Sequence, residues 1–303
     1  MEHSNQEIAN AVSGVIVVDK PVGLTSHEVV QIIRRGTNIR RAGHTGTLDP
    51  RASGVLVILV GPAVRLSEYV SASDKRYQAV IRLGETTDTY DADGEVLTTG
   101  KEVNVTEEQF QEMLKSFVGQ IEQTPPPYSA IKVQGQKAYE KAREGEEVEL
   151  APRIIQVYSL ELLEWAPPEA VIDVYCSSGT YVRSLAHDLG EKLGCGATLV
   201  GLRRTKSGRF TLRDAIPLRK LRDSFMDGTW YQYLIPAAEA LSDWKSIELT
   251  NEQVDALRHG HRIPGENPGI VQARGVSEAG ELIALLDFDI ATNEWQPKKV
   301  FFS

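Results

Sequence analysis

Apolar positions along the first half of the chain come in short runs separated by turn residues. Gly14 to Asp19 reads as a buried strand, and Lys20, Pro21, Val22, Gly23 and Leu24 as the turn after it. Thr25 with Glu28 has the form of a capping box. It opens a helix whose Val29, Val30, Ile32 and Ile33 make an apolar face ending at Gly36. Val55 to Val60 is a second buried strand, and Tyr77 to Leu83 alternates with the period of two expected of a half-covered strand. Asp91 to Gly94 is a hairpin-type turn. Thr106 with Gln109 forms a second capping box, before a helix that puts Phe110, Met113, Leu114 and Phe117 on one face.

Residues 124–152 break this pattern. Pro125, Pro126 and Pro127 lead into a polar stretch holding Lys132, Gly135, Lys137, Lys141, Arg143 and Gly145, which reads as a functional loop or insert. Strands at Ile154–Leu163 and Val171–Cys176 follow. After them comes a helix with Val182, Leu185, Ala186, Leu189 and Leu193 in its stripe and Gly194 as its stop. A boundary falls at Pro236. Beyond it lie a helix capped by Thr250 and Gln253 and short strands at 269–274, 281–287 and 298–302, a small mostly-β module. Strands and helices mix without regular alternation, so the fold class expected is α+β with a mixed, largely antiparallel sheet.

The 303 residues suffice for one or two domains, and 41% hydrophobic with 25% charged residues is ordinary for a globular protein. The polar N-terminus does not read as a signal peptide, and no apolar run approaches the length of a bilayer span. Cys176 and Cys195 form no metal-binding or redox spacing, so a cytoplasmic protein with two reduced thiols is expected. A net charge of −9 argues against a nucleic-acid partner until its distribution is considered. Residues 33–51 carry five arginines against Asp49, and residues 203–222 carry eight bases against Asp214. Residues 85–122 hold ten acids and two lysines, and residues 236–303 hold eleven acids and six bases. One basic RNA-facing surface on an otherwise acidic molecule would produce this asymmetry.

The densest chemistry lies in the twelve residues from Gly43 to Gly54, which read Gly-His-Thr-Gly-Thr-Leu-Asp-Pro-Arg-Ala-Ser-Gly. One carboxylate, Asp49, is set among glycines and hydroxyls between His44 and Arg51, and the glycines would let a ligand approach the main chain. Pro50 disfavours helical geometry at Asp49. Two other groupings carry less. Asp88, Asp91, Asp93 and Glu95 lack the spacing and terminal glutamate of a calcium loop and read as a turn, and His259 with His261 has no third ligand nearby, so no metal site is expected.

The motif closely resembles the signature of the TruB family of pseudouridine synthases, which isomerise a uridine in the T loop of transfer RNA. Three further blocks match in family order: Lys20 to Ser26, Lys75-Arg76-Tyr77, and Gly179 to Leu185. The resemblance implies a pseudouridine-synthase fold over residues 1–235, with 124–152 as an RNA-clamping insert and 236–303 as a PUA-like RNA-binding module. It implies a catalytic Asp49, with Arg183 as its charge partner and Tyr77 stacked on the target base. Substrate binding and support of the motif loop fall to His44, Lys20, Tyr181, Gly43 and Arg51. The reaction breaks the N1–C1′ bond of uridine and joins C1′ to C5, which requires one poised carboxylate and neither cofactor nor metal. The expected partner is the T stem-loop of transfer RNA, met by a monomer needing no protein partner or guide RNA. A glycosidase would require a second acid beside Asp49, and Asp19 and Asp74 lie outside every motif. A non-catalytic RNA-binding protein would have lost Asp49, Tyr77 or Arg183, and all three are present.

Overall fold

The computed structural model describes residues 12–99, 102–128, 132–133, 136–137, 150–266 and 269–301. Most of the 124–152 insert therefore lies outside the described residues. The first half of the chain runs β1 (Gly14–Lys20), α1 (Ser26–Thr37), β2 (Ala42–His44), β3 (Ala52–Val60), β4 (Lys75–Leu83), α2 (Glu107–Lys115) and β5 (Gly119–Gln123). There follow β6 (Arg153–Ala166), β7 (Glu169–Cys176), α3 (Val182–Leu193), β8 (Ala197–Ser207), β9 (Ile216–Pro217), α4 (Leu218–Met226) and β10 (Ile235–Pro236). The C-terminal stretch adds β11 (Ser246–Leu249), α5 (Asn251–Arg258), β12 (Ile263–Pro264), β13 (Gln272–Ser277), β14 (Leu282–Asp289) and β15 (Glu294–Val300).

The chain divides into two compact units. One holds the residues up to Pro50, Gly54–Ser71 and the chain from Gly208 onward; the other holds Arg51–Ser53 and Ala72–Ser207. In the first unit β1 pairs antiparallel with β3 from Gly14↔Val60 to Lys20↔Gly54, parallel with β9, and antiparallel with β10. All of β1 except Asp19 is buried, which explains its unbroken apolar run. A second sheet has the order β11-β13-β14-β15-β12, antiparallel except for the β11–β13 pair. The two sheets share a core, in which Leu282, Leu285 and Phe301 cluster with Val15, Val17, Val57 and Leu59.

The second unit is an antiparallel sheet of order β8-β4-β7-β6-β5. Along β4 the residues Lys75, Tyr77, Ala79, Ile81 and Leu83 are buried, while Arg76 and Gln78 are exposed. α2 sets Phe110 5.0 Å from Trp165 of β6, and α3 packs along β8. The α+β class and the mixed, largely antiparallel sheets agree with the sequence reading. All three expected capping boxes form, at Thr25, Thr106 and Thr250. The last strand runs Glu294–Val300, starting earlier than its apolar tail suggested, because Trp295 alone of its first residues is buried.

Candidate active site

In the first unit the motif loop leaves β2 at His44 and is held on both sides of Asp49. Ser26 Oγ, buried at the start of α1, accepts from Leu48 N–H at 2.8 Å and donates to Leu48 C=O at 2.9 Å. On the other side Pro50 C=O accepts from Gly23 N–H at 2.8 Å and from Lys20 Nζ at 3.3 Å. Lys20 is wholly buried, and its ammonium also donates to the carbonyls of Pro21 (2.9 Å) and Leu24 (2.6 Å). Three carbonyls suit the three protons of a buried ammonium and offset much of its desolvation. Asp49 is half-buried between these anchors. Of the three motif glycines only Gly54 takes a left-handed φ, at 100°. Gly43 lies in β2 opposite Leu59, and a Cβ built there would meet nothing nearer than Val64 at 3.9 Å, so the space above it is open.

In the second unit Tyr77 sits on the covered face of β4, opposite Val174 of β7 and Arg204 of β8. Two residues back on the same face is Lys75, whose ammonium is pulled down to about 8 by burial and by the neighbouring Arg204 guanidinium. Cys176, its cross-strand partner, is pushed up to about 11 by burial.

The start of α3 is set by Gln123 of β5, which is fully buried. Its amide accepts from Tyr181 N–H at 2.8 Å and donates to Tyr181 C=O at 2.9 Å. Gly179, at φ 84°, turns the chain into this clasp and accepts from Arg153, whose guanidinium lies 4.7 Å from the centre of the Tyr181 ring. Two residues on, Arg183 is 8% exposed. Its Nη1 donates to Asp91 Oδ2 at 3.1 Å and to Thr89 C=O at 3.3 Å, and its Nη2 to Tyr128 C=O at 3.2 Å. The second oxygen of Asp91 accepts from Thr89 Oγ1 at 2.6 Å and from Asp93 N–H at 3.0 Å. Arg51 of the motif bonds Asp93 in the same turn, and that carboxylate raises the guanidinium further above its ordinary range.

The expected residues thus fall into two groups. Lys20, Gly43, His44 and Asp49 gather on β1, β2 and the loop of the first unit, while in the second unit Arg51 and Arg183 meet the Thr89–Asp93 turn, Tyr181 caps α3 and Tyr77 lies on β4. Sequence reasoning missed Asp91, dismissed with its acidic neighbours as a turn, and Gln123. The signal for Asp91 was Thr89 two residues before it, whose hydroxyl orients the Asp91 carboxylate. Among the described residues no group of three or more His, Cys, Asp or Glu could hold a metal ion.

Residues 34–182 match the family model described as TruB family pseudouridylate synthase (N terminal domain). Residues 183–242 match the tRNA pseudouridylate synthase B C-terminal domain. Fold and motif loop together place the chain in the class of RNA-modifying isomerases that make pseudouridine. Among curated relatives, tRNA pseudouridine synthase B of Thiobacillus denitrificans is 44% identical over 284 residues, 90% of this chain and 95% of that protein. The protein of that name from Pseudomonas aeruginosa is 40% identical, over 92% of this chain and 93% of its own. The chain belongs to the TruB family. Among solved structures, a chain of a Cbf5–Nop10–Gar1 complex superposes with a TM-score of 0.75 at 28% identity, covering 98% of this chain and 87% of that one. A chain of an H/ACA RNP bound to a substrate RNA gives 0.74 at 27%, with coverage of 98% and 87%.

Proposed function

We propose that this enzyme converts uridine to pseudouridine at position 55 in the T loop of transfer RNA, without cofactor, metal or guide RNA. The observation that carries this reading is the Asp49 loop, in which one carboxylate is anchored through both neighbours by Ser26, Gly23 and Lys20. Such anchoring lowers the entropic cost of presenting a reactive anion in one geometry. The names of relatives aligned along nearly the whole chain support transfer RNA as the substrate.

Asp49 supplies the nucleophile or anion that assists breaking of the N1–C1′ bond. The freed uracil turns, C5 bonds to C1′, and the proton lost from C5 is balanced by the one gained at N1. Tyr77 stacks on the base while it turns, and its hydroxyl moves the C5 proton. Arg183, held by Asp91 and two carbonyls, serves as the fixed positive charge partner of the catalytic carboxylate. Lys20 supports the loop, and His44, Gly43, Arg51 and Tyr181 complete the surface that receives the RNA.

Turning a T-loop uridine out of its stack costs a few kcal/mol. The insert 124–152, with four basic residues, and the basic stretches at 33–51 and 203–222 offset it by gripping phosphates. Residues 1–235 act as the catalytic domain and 236–303 as a PUA-like RNA-binding module. The enzyme works as a cytoplasmic monomer. Among the described residues no helix is long and apolar enough to cross a membrane. The test is pseudouridine mapping of a T stem-loop incubated with purified protein alone in chelator. Product at position 55 is expected, and none with Asp49→Asn, which still binds the RNA. A requirement for a guide RNA or a metal would overturn the proposal.

A further inference from the structure

Tyr90 is one of three non-glycine described residues with a left-handed backbone, at φ 64°. The others are asparagines, which tolerate that region; a tyrosine there is strained by about 1–2 kcal/mol and persists only when its surroundings hold it. A ring stack and a set of backbone hydrogen bonds hold it. The Tyr90 ring lies flat on the imidazole of His187, with centroids 3.8 Å apart and planes 7° from parallel. Its backbone is tied on both sides, N–H to Thr87 C=O at 3.3 Å and C=O to Leu199 N–H at 3.1 Å, while Ala92 N–H returns to Leu199 C=O at 3.1 Å.

His187 stands four residues after Arg183 on α3, one turn along the same face. Three consecutive residues of the turn therefore meet that one helix face: Thr89 and Asp91 at Arg183, and Tyr90 between them at His187. The imidazole Nδ1 is buried and has no hydrogen-bond partner among the described residues, so the flat face is the part of His187 in use.

We propose that the Tyr90–His187 stack is a positioning device for the reaction, fixing the left-handed turn so that Asp91 meets Arg183 in a single geometry. The inference rests on the reading of Arg183 as the charge partner of the catalytic carboxylate. The stack works by shape, so any flat ring at position 187 suffices, and both residues act through Asp91.

The test uses full-length enzyme and a T stem-loop, reading single-turnover rate, RNA affinity and thermal midpoint. Tyr90→Phe and His187→Phe keep the stack and should turn over within about twofold of the parent. His187→Ala should stay folded, bind the stem-loop within about twofold, and lose roughly tenfold in rate. Tyr90→Gly relieves the backbone strain but removes the ring, so it should be no less stable than Tyr90→Ala and equally slow. In an Asp91→Asn background, His187→Ala should have little further effect, since the stack acts through Asp91. Full activity in folded His187→Ala, or an undiminished tenfold loss in the Asp91→Asn background, would overturn the proposal. A second readout needs no turnover: nitrogen-15 NMR of the Arg183 guanidinium should show hindered rotation in the parent and in His187→Phe, and free rotation in His187→Ala. Hindered rotation in all three would also overturn it. An inactive parent that nonetheless shows this NMR pattern would sink the functional reading and leave the positioning role standing.

Discussion

Gln123 grips the backbone of Tyr181 at two points, its amide nitrogen donating to the carbonyl and its amide oxygen accepting from the N–H. The pair spans 58 positions in sequence and fixes where α3 begins, hence where Arg183 stands. Gln123→Leu leaves both backbone groups without this partner in a buried setting and should destabilise the protein by roughly 2–4 kcal/mol. Urea unfolding would check this; a midpoint equal to the parent's would mean the clasp adds nothing to stability.

Asp91→Asn keeps shape and removes charge. The expected result is a loss of about 10- to 100-fold in single-turnover rate, equivalent to about 1.4–2.8 kcal/mol, with stem-loop affinity little changed. Arg183→Lys should fall at least as far, because an ammonium cannot meet Asp91, Thr89 and Tyr128 at once from the two ends of a planar group. Near-parent rates in both variants would show that the ion pair is unrelated to chemistry.

Tyr77→Phe separates ring from hydroxyl. Binding should persist, since stacking requires only the ring, and the chemical step should slow markedly. An unchanged rate would confine Tyr77 to stacking.

Lys75 and Cys176 face each other across β4 and β7 and pull stability in opposite directions with pH. The Lys75 ammonium titrates near 8, below its ordinary 10.5, so the unfolded chain binds more protons between those values and stability rises with pH there. The Cys176 thiol titrates near 11, above its ordinary 9, so the folded chain binds more protons and stability falls between about 9 and 11. Removing the thiol with Cys176→Ala should make the free energy of unfolding climb more steeply above pH 9 than in the parent. Lys75→Met should flatten or reverse the slope from pH 8 to 10.5. Identical pH profiles for all three proteins would refute both shifts.

What could be read from the sequence was what is local. The capping boxes at Thr25, Thr106 and Thr250 are four-residue patterns, and the alternation from Tyr77 to Leu83 reports one covered face. The motif placed Asp49 on a loop entering a strand. Asp91 escaped because its meaning lies 92 residues away, at Arg183. β8 escaped because buried Arg204 and neighbouring Arg203 and Lys206 interrupt its apolar pattern, so a strand read as a basic stretch. α4, with only Leu218, Leu221 and Ser224 buried, was hidden in the same run of charge.

β1 has a consequence for biosynthesis. Its pairing with β3 is complete once Val60 has been made, but its other edge waits for Ile216–Pro217 and Ile235–Pro236. At about 5–20 residues per second the ribosome takes roughly 10–40 s to cover that interval. Throughout that time the second edge of β1 has no strand to pair with. The loop that presents Asp49 hangs from Lys20 at the end of this strand, so the enzyme comes of age only late in its own translation.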